Sequence, residues 1–174
     1  MKPYDLIVTL RLSLADESAR ARPRSWLSDD LGLSTSRIHE SLARLHRVRI
    51  VDPIDNRVSV PMLTEFLEHG VRFVFPAELG TIARGVPTAT SAEPLASVFV
   101  DPGDPSGAFV WPSGGGTTRG VSIVPLHKLA PTIAQRDERM HELLALVDGL
   151  RLDDPRVRRE SAAALRDRLT VTAA

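Results

Sequence analysis

The sequence predicts an α+β fold that is mainly helical, and three observations support this prediction. Apolar residues recur at helical spacing in residues 35–47 and again in residues 137–150. Short runs of β-branched residues around turn residues lie in 48–60 and 108–124, a pattern typical of paired strands. The stretch 77–90 is rich in Gly, Pro and Thr without a clear period, which indicates irregular structure.

These patterns divide the chain of 174 residues into three segments. We expect residues 1–70 to form an N-terminal domain of helices and one hairpin. Residues 71–125 are predicted to be an irregular α/β connecting region with a second hairpin, and residues 126–174 a C-terminal helical extension. A chain of this length suits one domain of ordinary size or a small domain with an accessory element.

Proline, glycine and capping residues set the predicted helix boundaries. Pro3 opens the first helix, and Pro61 opens another that ends at Gly70. Residues 15–24 are polar and predict a loop, after which Ser25 is placed to cap a short helix. The remaining predicted elements are that short helix over 26–31, a strand or irregular apolar segment over 71–75, a short helix over 91–99, a loop over 101–107, strands over 108–111 and 119–124 that form one hairpin, and helices over 137–150 and 153–169.

Charge and cysteine content exclude several classes of protein. The chain carries 22 basic and 22 acidic residues, so a uniformly basic nucleic-acid coat is excluded, although residues 20–49 hold seven basic against three acidic residues. The absence of cysteine excludes disulfides and thiolate metal sites. No long apolar run or signal-peptide pattern occurs. We therefore expect a cytoplasmic protein without a membrane partner.

A sharp turn between two helices lies at residues 31–34. Gly32 can take the positive φ that ends a helix, and Ser34 can cap the next helix through its hydroxyl oxygen. Ile38, Leu42 and Leu45 then form one apolar stripe. The sequence therefore predicts a helix, a turn and a second amphipathic helix.

The outer face of this second helix is polar and net basic. Such a surface is suited to hydrogen bonding with base edges in the DNA major groove. The candidate DNA-binding residues on this face are Thr35, Ser36, Arg37, His39, Glu40, Arg44 and Arg47.

The predicted hairpin that follows adds two further candidates. Arg49 and Arg57 flank the turn at 53–56 and are placed to reach phosphates or a minor groove. The alternative is that the hairpin only closes the small core of the domain.

The same residues resemble a known family. Leu31-Gly32-Leu33-Ser34, Ile38, Ser41-Leu42 and Leu45 match the pattern of bacterial winged helix-turn-helix transcription regulators, in particular MarR-like proteins. Ser28 departs from the alanine that many members carry at that position. The resemblance covers the first 70 residues and implies a DNA-binding domain with a recognition helix and a wing. It also implies dimerisation through helices outside that domain.

The apolar stripe from Met140 to Leu150 allows three uses: core, dimer seam or docking face. A winged helix needs two copies to read a two-fold DNA site. We therefore expect a homodimer whose interface involves residues 126–169.

The leading functional hypothesis is a sequence-specific, double-stranded DNA-binding transcriptional regulator. The alternative is a protein-interaction module, such as an antitoxin-like protein whose C-terminal half binds another protein. RNA binding is weaker because an exposed aromatic platform is missing. The five histidines lack metal-ligand spacing, and Gly114–Gly116 is not followed by the Lys-Ser/Thr of a phosphate-binding loop. We therefore expect no enzyme activity, no cofactor and no metal.

Overall fold

A computed structural model describes residues 1–99 and 107–173, with side chains through Thr170. The fold is α+β, about 53% helical with a small three-stranded sheet, which confirms the predicted class. The helices are α1 Pro3–Ser13, α2 Glu17–Arg20, α3 Ser25–Leu31, α4 Thr35–Arg47, α5 Val60–His69, α6 Val71–Val74, α7 Ala130–Ala134, α8 Glu138–Arg151 and α9 Pro155–Ala173; the strands are β1 Leu79–Pro87, β2 Phe109–Pro112 and β3 Thr118–Ile123.

Helix α1 begins at Pro3, as predicted, and is buried on almost every side. Its buried positions run from Tyr4 to Leu10 without interruption because α3, α4, α8 and α9 all pack against it. Two of these buried residues, Asp5 and Thr9, are polar and are hydrogen-bonded. Helix α1 therefore forms the base on which the helices around the predicted turn rest.

The predicted turn between α3 and α4 is confirmed. Gly32 ends α3 with a φ of 65°, and the Ser34 hydroxyl accepts a hydrogen bond from the Arg37 amide at 3.4 Å. Ser28 donates its hydroxyl proton to the Leu33 carbonyl and so binds α3 to the turn. The stripe predicted to face inward is fully buried, and its members are Ile38, Leu42 and Leu45.

The residues before α3 differ from the prediction. Part of the expected loop over 15–24 is helical, since Asp16 accepts the Ala19 amide and begins α2. Helix α3 begins at Ser25, so that Arg24, which makes no side-chain cap, takes the N-cap position expected for Ser25.

The predicted hairpin after α4 is reduced to a single antiparallel bridge between Val51 and Val58. The Asp52 carboxylate accepts the amides of Ile54 and Asp55, which closes a tight turn, and Pro53 has no amide to donate. The two runs therefore meet as predicted, but they do not extend into a two-stranded ribbon.

The sheet pairs differently from the predicted hairpin. Strands β2 and β3 are parallel to each other, and both pair antiparallel with β1, which the sequence analysis assigned to irregular structure. Close contacts at glycine permit this closed arrangement. A Cβ at Gly85 would lie 2.0 Å from the Trp111 carbonyl oxygen, and one at Gly120 would lie 2.5 Å from that of Ala108. These contacts join residues far apart in sequence, which local patterns do not report.

Two further predictions in the middle segment are corrected. The apolar segment 71–75 contains the short helix α6, and the helix expected over 91–99 is instead a 3-10 turn at Ala89–Ser91 followed by successive turns. Pro94 explains the second difference, because proline supplies no amide and disfavours helical backbone at the preceding residue. Most of the loop predicted over 101–107 lies outside the described residues.

Helix α8 occupies the centre of the core. Met140 and every residue from Leu143 to Arg151 are buried, so the apolar stripe of this helix is covered by the chain itself. The stripe therefore serves as core, and a dimer interface has to use other residues. One hydrophobic cluster takes members from all three predicted segments, including Leu67, Trp111 and Leu144.

A buried ion pair attaches the sheet to α8. The Asp148 carboxylate accepts hydrogen bonds from Arg151, from the Thr88 hydroxyl at 2.9 Å and from the Trp111 indole at 2.6 Å. Arg151 also donates to the carbonyl groups of Phe75, Pro76 and Val124. Burial raises the pKa of the Asp148 carboxyl, while Arg151 and the other two donors favour its ionised form.

None of the helices within residues 1–99 and 107–173 combines the length and apolar composition that crossing a bilayer requires.

Replacing Asp148 by Asn removes the charge that compensates Arg151 while it preserves the side-chain shape. We expect Asp148→Asn to lower the free energy of unfolding by about 3–5 kcal/mol, since an uncompensated charge stays buried. Asp153→Asn, a change at a fully exposed side chain, is the control and should stay within about 0.5 kcal/mol. Urea denaturation measures both; equal losses would contradict the role assigned to Asp148.

Candidate nucleic-acid interface

The outward face of α4 is a stripe of exposed residues at Ser36, Glu40, Ala43 and Arg47. These positions follow the i, i+4, i+7, i+11 pattern of one helix side, opposite the buried stripe. The other predicted residues exposed on α4 or in the turn that follows are Thr35, Arg37, His39, Arg49 and Arg57. The structure therefore exposes all the candidate DNA-binding residues except Arg44.

Arg44 is held by α1 and is not available to a ligand. This corrects the prediction that Arg44 binds DNA. Its guanidinium donates to the fully buried Asp5 carboxylate through Nε at 2.9 Å and Nη2 at 2.8 Å, and Nη2 also donates to the Tyr4 hydroxyl at 2.8 Å. The hydrogen bonds that Arg44 donates to Asp5 are the largest of the effects that raise the pKa of Arg44 above its ordinary value. Arg44 therefore positions α4 on α1.

Glu40 lies beside this ion pair. Its carboxylate accepts a hydrogen bond from the Tyr4 hydroxyl at 3.2 Å and lies 3.6 Å from Arg44 and 3.8 Å from Lys2. Two cations thus offset the negative charge of Glu40 on a face proposed to approach DNA.

Arginines before α3 extend the basic surface beyond the predicted residues. The Arg24 guanidinium lies 3.4 Å from Nδ1 of His39 and so reaches the edge of α4. An open cleft of about 580 Å³ separates this segment from the turn after α4, and four arginines line it. These are Arg20, Arg22, Arg24 and Arg57. The first three belong to the basic excess of residues 20–49, although their own segment is predicted only to be a polar loop.

On the other side of α4, Arg37 and Lys128 each place a positive charge near His127. Burial lowers the pKa of the neighbouring His127, and the positive charges of Arg37 and Lys128 lower it further. The His127 ring packs edge-on against Tyr4 at 6.3 Å. Burial and these two cations therefore both disfavour the charged form of His127.

The turn after α4 presents its basic side chains outward. Arg49 has a φ of 61° and takes the left-handed position after the helix, with its amide donating to the His46 carbonyl. At the tip, Ile54 is 92% exposed. The carboxylates of Asp52 and Asp55 accept hydrogen bonds from backbone amides of the turn. The acidic residues of this turn thus shape the loop that carries Arg49 and Arg57.

On α4 and in the turn after it, three arginines have no hydrogen bond or ion pair from their guanidinium within the described residues: Arg37, Arg47 and Arg49. Free guanidinium groups on a rigid helix and its following turn are suited to phosphates and to the acceptor-rich edge of guanine. Within the same part of the chain, no group of three His, Asp or Glu residues is placed to hold a metal ion.

Comparison of the chain with protein-family models, curated proteins and solved structures gives no match. The resemblance to MarR-like regulators therefore remains a prediction.

Arg44 and Arg47 lie about one helical turn apart, so variants at these two positions distinguish a residue that positions α4 from one that binds DNA. We expect Arg44→Met to lower the free energy of unfolding by about 2–3 kcal/mol, since it leaves the buried Asp5 carboxylate without its cation. Arg47→Met should change stability by less than about 0.5 kcal/mol, because Arg47 is exposed. Urea denaturation of both variants checks this, and similar losses would show that the Asp5–Arg44 pair does not hold α4.

Proposed function

We propose that this chain binds double-stranded DNA through a winged helix-turn-helix within residues 1–70 and acts as a transcriptional regulator of the MarR-like kind. Helix α4 would enter the major groove as the recognition helix, and the turn at 49–57 would act as a short wing on the backbone. The observation that supports this most is the outward face of α4, which carries free arginine on a helix packed firmly against α1 and α3.

The roles divide by position on this surface. Ser36, Arg37, His39 and Glu40 lie toward the N-terminal half of α4, the part of a recognition helix that contacts base edges, and Thr35 begins that half. Arg47, Arg49 and Arg57 would hold phosphates, which position a protein without reading sequence. We add Arg24 to the phosphate contacts because it lies against His39 at the edge of α4.

The proposal includes a homodimer, since one copy presents few free cations and affinity rises with the number of phosphates neutralised. Helix α8 is core, so the contact between copies would use the surface of α9 or another exposed element.

A second candidate, a protein-interaction module, is favoured by the exposed apolar side chains of the small sheet and of α6. The largest exposed fractions there are 70% at Phe73 and 57% at Leu79. Exposed apolar residues grouped in this way mark interaction sites more often than scattered ones do. The two activities use different residues and are compatible.

Selection of bound duplexes from a randomised pool, followed by affinity measurement at several salt concentrations, tests the DNA proposal. We expect Arg37→Ala to cost about 1–3 kcal/mol and to relax the base preference. Arg57→Ala should weaken all duplexes about equally and reduce the salt slope by about one unit. Arg136→Ala, an exposed change between α7 and α8, is the control and should leave the affinity unchanged.

Two results would contradict the proposal. A chain that enriches no duplex over the starting pool does not read DNA sequence. Unchanged affinity after joint replacement of Ser36, Arg37 and His39 by alanine would show that α4 is not the reading helix.

A further inference from the structure

The outer surface beside β1 carries apolar side chains that the fold does not cover. Phe73, Leu79 and Ile82 are 70%, 57% and 47% exposed. Phe73 and Leu79 line the same groove, an open depression of about 300 Å³ with Leu152 also in its wall. Exposed apolar residues that share a groove differ from the scattered ones found on any protein surface.

The strand register extends this apolar surface into a basic one. Ile82 lies directly opposite Val121, and Arg84 directly opposite Arg119. Opposed residues of an antiparallel pair point to the same face of the sheet, with their Cβ atoms about 5 Å apart. One face of the β1–β3 ribbon therefore presents an apolar pair followed by two adjacent arginines.

This arginine pair lacks an acidic partner in the part of the chain that the structure describes. Arg84 and Arg119 are both exposed, and neither forms a hydrogen bond or ion pair from its side chain within the described residues. Like charges directly opposite each other destabilise a strand pair. The juxtaposition therefore costs stability in the isolated chain, and a carboxylate from outside would offset that cost.

The nearby acidic residues within 1–99 and 107–173 do not supply this carboxylate. Asp153 lines the groove, but its carboxylate is held by Arg158 at 3.2 Å. Glu78 lies six positions before Arg84 along an extended segment, roughly 20 Å away at the rise of a β-strand. Arg72, stacked on the Phe73 ring at 4.3 Å, adds another positive charge at the groove.

We propose that this face, formed by Phe73, Leu79, Ile82, Arg84 and Arg119, docks another protein. That partner inserts an apolar side chain into the groove and places carboxylates against the two arginines. The apolar residues favour a protein over a nucleic acid, whose phosphates would engage only the arginines. A second copy that pairs symmetrically through this face fits less well, because it would bring its own arginine pair to a surface that already carries one. The proposal rests on the second candidate function, the protein-interaction module, and it is independent of DNA binding, since it uses none of the residues on α4.

A library of short random peptides displayed on phage, selected against the full chain, tests this proposal. We expect enrichment of peptides that combine an aromatic or aliphatic residue with neighbouring Asp or Glu. The joint change Arg84→Glu and Arg119→Glu should weaken these peptides by about tenfold or more, and replacing the acidic residues of the peptide by Lys should restore binding to that variant. Ile82→Ser should weaken binding by loss of apolar contact.

Controls separate the face from general charge effects. Arg136→Glu with Arg159→Glu makes the same change in net charge at exposed residues elsewhere and should leave peptide affinity unchanged. Arg37→Ala should also leave it unchanged, so that failure of the DNA proposal and failure of this one give different results. Thermal unfolding of each variant establishes that it is folded.

Four outcomes would overturn the proposal. The first two are the absence of any enriched peptide and the enrichment of peptides without acidic residues. The third is a wild-type dimer, seen in sedimentation, that Ile82→Ser dissociates. The fourth is a loss of duplex affinity in the Arg84→Glu, Arg119→Glu variant like that expected for Arg57→Ala. The third result would assign the face to a second copy of the chain, and the fourth would assign it to nucleic acid.

Discussion

The ion pair between Asp5 and Arg44 is the constraint on which the candidate interface depends. Asp5 is fully buried in α1, so its charge requires a cation in fixed geometry, and Arg44 supplies one through two hydrogen bonds. The pair fixes the rotation of α4 about its axis, because Arg44 must face α1 while Ile38 and Leu42 face the core. Ser36 and Arg47 are thereby turned to solvent. The same pair removes one arginine from the set that can contact a ligand.

Local chemistry made the turn and α4 predictable. Gly32 ends α3 and Ser34 caps α4 through neighbours only a few residues away in sequence. The apolar stripe of α4 repeats at a spacing that the sequence shows directly. The position of Arg44 was not predictable in this way, because its partner lies 39 residues earlier and an arginine on a polar helix face gives no sign of being held. The pairing of β1 with both β2 and β3 was hidden for a similar reason. This pairing depends on close backbone contacts at Gly85 and Gly120, which the periodicity of the sequence does not reveal.

The buried α8 supports both proposed surfaces. Helix α1, which holds α4, packs against it, as does α6, which carries Phe73. The polar network of Asp148 and Arg151 joins α8 to Thr88 after β1, to Trp111 in β2 and to the chain just after α6 and β3. The apolar stripe of α8 is buried in the core and is therefore not a dimer interface. It packs the α4 side and the sheet side of the molecule into one unit. Two exposed faces of different chemistry then remain, one with free arginines on a helix and one with apolar residues beside an arginine pair.

We propose that DNA is contacted by α4 and the turn after it. Amide chemical shifts of the isotope-labelled full chain, recorded during titration with a duplex selected from a randomised pool, test it most directly. We expect the largest shifts in Thr35–Arg47 and in residues 49–57, while the amides of β1 and β3 change little. Shifts confined to β1, β3 and α6, with α4 unaffected, would contradict it.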